Sequence, residues 1–214
     1  MMTEKERFNR FSVPLGLLDY INPIFYSITI IIIIRNIGTA LGSPYETILK
    51  AGALLSILFG FIIPTGKVIV GLGIIRFRMP VALVFCVNAG ILISGLMLAK
   101  YVLDLALFPI MIIFLSIIFL LYLIYRKSRK MNTVAVMTGA FGYVLIYASL
   151  IILSLKRHLY LPTAFYAIAI CLFVMLCGIG IRADLKDPKV HWKIEIANVI
   201  CQGLVALGTV LLFR

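Results

Sequence analysis

The stretch HWKIEIANVICQGLVALGTVLLF, residues 191–213, decides how the chain is read. His191, Glu195, Asn198, Gln202 and Thr209 stand at offsets 0, 4, 7, 11 and 18 within it. An α-helix turns by about 100° per residue, so these polar groups fall within about 60° of one another. The positions between them are mostly Ile, Val, Leu, Ala and Gly. One helix therefore carries a narrow polar stripe on an otherwise apolar surface. In hydrocarbon a polar side chain is costly unless it faces protein, water or ligand, so the stripe is expected to face inward.

The same apolar character extends outward over the whole chain. Of 214 residues, 63% are hydrophobic and 13% charged, with a mean hydropathy of +1.15. A soluble domain carries about 25% charged residues, so too few charges remain here to cover a water-facing surface. Apolar runs near membrane-spanning length recur along the sequence. The expected fold is an all-α, polytopic transmembrane helix bundle of about seven spans, forming one membrane domain over residues 1–214. A charged tail at 1–12 precedes spans near 16–38, 48–66, 80–99, 105–125, 133–153, 163–181 and 194–213. The first span is expected to begin near Gly16 and to kink at Pro23, with Asp19 and Arg35 at its interfaces. The run from Ile48 to Ile75 would reach about 42 Å as one helix, against a hydrocarbon core of about 30 Å. A span ending near Pro64-Thr65-Gly66-Lys67, followed by an interfacial segment, is therefore expected. Asp104 is placed to cap the fourth span.

The net charge is +12. Its Lys and Arg residues cluster in short loops, which points to anionic headgroups of the lipid bilayer as partner and away from nucleic acid. With the N-terminus cytoplasmic, 13 of them fall on the inner side and 6 on the outer, leaving Lys67 unassigned. That bias sets the orientation and suggests the cell (inner) membrane. Cys86, Cys171, Cys177 and Cys201 all lie inside apolar runs and read as small core residues. The charged start has no cleavage site, so the first run is expected to stay attached as a span.

Two segments resemble each other. GLGIIRFRMP (71–80) leads into a span with Asn88, and GIGIRADLKDP (178–188) leads into the span with Asn198 and Gln202. Spans one to three would then match spans five to seven, with span four as a linker, giving a 3+1+3 parallel repeat. In architecture alone this layout resembles the sugar-transporting and PQ-loop families. The chain has no Pro-Gln dipeptide and its expected orientation is opposite to theirs, so no family is assigned.

The candidate pathway or binding residues are His191, Glu195, Asn198, Gln202, Lys67 and Asn88. Glu195 would hold a cation or proton, and the amides would ligate polar atoms. Lys67 lies at membrane depth beside a proline break, with Glu195 as its natural partner. Tyr143 and Tyr147, four apart on one helix face, read first as core. Metalloprotease, serine-hydrolase and P-loop signatures are absent. Two histidines are too few for a multi-histidine metal or haem site, so no cofactor is expected. The leading expectation is a small transporter or channel-like protein for a small molecule or ion. Its polar pathway would lie between spans two, three, six and seven and open to the cytoplasm. The alternatives are an intramembrane lipid enzyme using His191 and Glu195, and a non-catalytic membrane subunit or sensor. A homo-oligomer is compatible with each.

Overall fold

The structure, a computed structural model, describes residues 12–74, 81–104, 130–182 and 188–214. Its elements are all helical: α1 (Val13–Asp19), α2 (Ile21–Leu41), α3 (Tyr45–Gly71), α4 (Val81–Leu103), α5 (Lys130–Lys156), α6 (Tyr160–Arg182) and α7 (Pro188–Leu212). Counting α1 and α2 together, six segments among the described residues are long and apolar enough to cross a membrane. The chain is thus an integral, multi-pass helix bundle. The expected fourth span, 105–125, lies outside the described residues; Asp104, expected to cap it, is exposed, with φ 47° and its Oδ1 3.7 Å from Lys100 Nζ.

The first span begins at Val13, where Ser12 accepts a hydrogen bond from the Leu15 N–H and Pro14 occupies the first turn. It breaks at Tyr20 between α1 and α2. Pro23 has no N–H to offer the Asp19 carbonyl, so the hydrogen-bond ladder fails one turn before the proline. The kink expected at Pro23 is present, and the discontinuity falls at Tyr20.

Pro64 does not end the second span. α3 runs on through it to Gly71 as a single helix of 27 residues. That correction has a physical cause. Backbone freed in lipid has no water to turn to, so one missing bond at the Gly60 carbonyl is cheaper than an unwound segment. The excess length is taken up at both ends. At the α2–α3 turn, Gly42 sits at φ 71° and Glu46 pairs with Lys50 at 2.6 Å.

The helices form a closed ring in the order α2, α3, α4, α5, α6, α7 and back to α2. Contacts rise together in number along α4 and α5: Asn88 meets Gly139, and Leu92 meets Gly142. These two helices are therefore parallel neighbours. So are α2 and α7, where Asn22 meets Glu195 and Phe25 meets Gly203. All other neighbours in the ring are antiparallel. Exchanging α2-α3-α4 for α5-α6-α7 maps every neighbour pair of the ring onto another, including the weaker pairs α2–α4 and α5–α7.

Two hydrogen bonds fix the register of this repeat. The Tyr26 hydroxyl of α2 donates to Ser94 Oγ of α4 at 3.3 Å, and Gln202 Nε2 of α7 donates to the Tyr147 hydroxyl of α5 at 3.1 Å. Setting Tyr26 on Tyr147 also sets Arg35-Asn36 on Lys156-Arg157, and setting Ser94 on Gln202 sets Gly95 on Gly203. In this register Asn88 falls opposite Ile196, so the amides that suggested the repeat are not equivalent positions.

We call the end carrying α1 and the starts of α4, α5 and α7 the inner end. The packed core occupies the outer half. Ile30, Ile33 and Ile37 of α2 meet Leu49 of α3, Leu96 to Val102 of α4, Leu150 and Leu153 of α5, and Val205 and Leu212 of α7. Glycines let α4 approach both neighbours closely. A Cβ on Gly142 would lie 2.7 Å from Leu92 Cα, and one on Gly90 would lie 2.6 Å from the Gly52 carbonyl. Lys156 Nζ and Arg157 reach the carbonyls of Val102 and Leu212, satisfying acceptors at the outer ends of α4 and α7.

Candidate functional site

The inner half is organised differently. Lys67, one turn before the end of α3, stands between two carboxylates. Its Nζ lies 2.6 Å from Asp19 Oδ2 of α1 and 3.1 Å from Glu195 Oε1 of α7. The pairing of Lys67 with Glu195 matches the expectation. Asp19, expected at an interface, is instead drawn into the cluster. The side chains of Lys67, Asp19 and Glu195 are only 17%, 13% and 12% exposed, so these charges sit inside protein.

Local sequence explains how they meet. Gly16 lies three residues before Asp19, on the same face of α1. A Cβ there would come within 2.8 Å of Val68 and 3.1 Å of its backbone nitrogen. The bare glycine lets α1 lie against the end of α3, which brings Asp19 within reach of the ammonium group. Asn22, just past the helix break, ties the carboxylates together. Its Nδ2 donates to Asp19 Oδ1 at 3.2 Å and to Glu195 Oε2 at 3.3 Å. Two carboxylate acceptors fix the amide's orientation, because the flipped amide would set oxygen against oxygen. Asn22 Oδ1 therefore points away from them, and it is buried without a hydrogen-bond partner.

Beyond the cluster, toward the middle of the bundle, lies a cavity of about 120 Å³. Asp19 and Pro64 line its inner part; Tyr26 and Ser56 lie deeper along α2 and α3. Gly60 of α3 can contribute only backbone to the lining, and Pro64 leaves the Gly60 carbonyl without its helical donor. The Pro23 turn faces the Gly60 turn of α3 here: a Cβ on Gly60 would lie 3.4 Å from Pro23 Cβ. Ser56 Oγ is within 3.0 Å of the Tyr26 hydroxyl, which itself donates to Ser94. Tyr143 completes the wall, its ring edge-to-face with Tyr26 at 6.3 Å and 86°.

The sequence-predicted residues divide. Lys67 and Glu195 meet in the cluster. Gln202 is buried and holds Tyr147, beside Cys201, whose Sγ donates to the Ala169 carbonyl at 3.2 Å. Asn88 seats against Gly139 and joins α4 to α5. His191 and Asn198 are half-buried on the same face of α7 as Glu195. Glu195 spends its hydrogen bonds on Lys67 and Asn22. The inward stripe of α7 is thus present, with Thr209 bonded to Tyr166 at its outer end. The cavity, however, lies among spans one, two, three and five, whereas a path between spans two, three, six and seven was expected. Asp19, Asn22 and Tyr26 were missed. The Gly16-x-x-Asp19 spacing and the Asn22-Pro23 break were the signals that could have found them. Comparison of the chain with family models, with curated proteins and with solved structures gave no match.

Proposed function

We propose that this protein is a small transporter or channel-like carrier whose polar pathway opens to the cytoplasm through its inner half. The observation that carries the reading is the asymmetry along the bundle axis. Charged groups and a cavity occupy the inner half, between two helices that each carry a proline, while the outer half is sealed by packed aliphatic side chains. A helix interrupted beside a mid-membrane cavity, as the first span is at Tyr20, is how membrane carriers expose backbone acceptors to a solute without exposing them to lipid. Such an arrangement corresponds to one end-state of alternating access, open or openable inward and closed outward.

The Lys67 cluster borders the inner mouth of the pathway in this account. It links α1 and α3 of the first three-helix unit to α7 of the second. Rocking of one unit against the other would have to break or re-form it. Glu195→Gln and Asn22→Leu are expected to reduce solute flux at least tenfold in proteoliposomes containing the purified chain. Wild-type flux in both variants, with an unchanged helical spectrum, would remove these residues from the pathway. Absence of flux in the native protein, with an acyl chain bound in the cavity, would favour a lipid enzyme instead.

A further inference from the structure

We infer that the cavity beside Asn22 is a binding site for one small monovalent cation of ammonium size, held by uncharged oxygen acceptors. This rests on the transport reading for its purpose but not for its chemistry.

The lining supplies acceptors and almost no donors. Asn22 Oδ1 is buried and has no partner, and its amide cannot turn over without opposing two carboxylates. The carbonyls of Asp19 and Gly60 each lose their helical donor to a proline, Pro23 and Pro64. The hydroxyls of Tyr26 and Ser56 lie at hydrogen-bond distance from each other and from Ser94, Gly52 and Ala53, so their protons have destinations within the protein. Lys, Arg and His are all missing from the described residues that line the cavity. An anion would find nothing there to donate to it; a species that brings its own protons or positive charge would find several oxygens.

Size and wall chemistry narrow the class. A cavity of about 120 Å³ has room for several waters, or for a small cation with part of its shell. Asp19 is the single carboxylate among the described lining residues and already faces Lys67, which leaves too little anionic oxygen for a divalent ion. Two phenol rings, Tyr26 and Tyr143, border the space, and ring faces attract ammonium-type cations.

The test is equilibrium binding to the purified full-length chain in detergent. Methylammonium chloride is one arm, with sodium and potassium chloride as the arms that distinguish an alkali ion from an ammonium. Sodium sulfate at matched sodium concentration controls for the anion. Saturable binding of one cation per chain is expected. Asn22→Leu should weaken it at least tenfold, and so should Ile63→Phe, which fills the cavity without removing a polar contact. Cys171→Ala, on the lipid-facing side of α6, should leave it unchanged. Absence of saturable binding for all three cations, or binding that survives both cavity variants, would overturn the inference. Cation binding without flux in proteoliposomes would instead refute transport and leave the site standing. Flux of an uncharged or anionic solute without cation binding would do the reverse.

Discussion

Lys67→Met is the substitution whose cost discriminates most sharply. In the native bundle one ammonium group serves two carboxylates, at 2.6 Å and 3.1 Å. Removing it leaves Asp19 and Glu195 facing each other across Asn22, buried and without that countercharge. Breaking a buried ion pair from one side costs about 3–5 kcal/mol, because a charge is stranded. Asp19→Asn or Glu195→Gln strands nothing: Lys67 keeps the other carboxylate, and the loss is that of a charge-assisted hydrogen bond, about 1.5–3 kcal/mol. The triple variant Asp19→Asn/Lys67→Met/Glu195→Gln removes the charges together, and a neutral replacement of a buried ion cluster is often tolerated. It should recover most of what Lys67→Met alone loses. Denaturant unfolding in micelles, followed by far-ultraviolet dichroism and by the fluorescence of Trp192, measures the series. Trp192 is the single tryptophan and lies three residues before Glu195. The reasoning is refuted if Lys67→Met costs no more than either carboxylate variant, or if the triple variant is as unstable as Lys67→Met.

Two further substitutions separate packing from pathway. Gln202→Leu loses the bond to Tyr147 and should cost about 0.6–2 kcal/mol while leaving solute flux intact; lost flux with intact stability would return Gln202 to the pathway. Gly142→Ala should cost about 1–3 kcal/mol, because its Cβ would meet the backbone of Leu92 at 2.7 Å. Gly203→Ala should cost clearly less, since its Cβ meets only the edge of the Phe25 ring at 3.3 Å. Equal midpoints for these two glycine variants in the same unfolding assay would show that the close approach of α4 to α5 is not what it appears from the backbone.

Helix type and the inward stripe of α7 were legible in the sequence because both follow from single-helix periodicity and the cost of polar groups in lipid. The partnership of Lys67 with Glu195 was legible because a membrane-buried lysine demands a carboxylate and few deep carboxylates exist. Asp19 was not legible as its second partner. Its approach depends on Gly16 admitting α1 against α3, a tertiary fact that hydropathy does not encode. Pro64 was read as a stop because one helix from Ile48 to Ile75 would outreach the hydrocarbon core, yet a bilayer leaves the backbone no alternative to continuing. The cavity was misplaced for a related reason. Asn22 sits beside the proline kink and was given no role of its own, and its pairing with Glu195 spans 173 residues of sequence. The repeat was seen through its turns, while the residues that fix its register, Tyr26 with Ser94 and Tyr147 with Gln202, carry no shared motif.

The claim that the inner half is open to solute and the outer half sealed is tested most directly by thiol accessibility. In a chain lacking Cys86, Cys171, Cys177 and Cys201, a single cysteine is placed at Ile63, on the cavity wall, or at Leu98, in the packed outer half. Each is exposed to a small, membrane-impermeant methanethiosulfonate from one side of a sealed vesicle at a time. The Ile63→Cys thiol is expected to react from the side of the N-terminus alone, and the Leu98→Cys thiol from neither. An Ile63→Cys thiol inert from both sides, or reactive from the opposite one, would contradict the account.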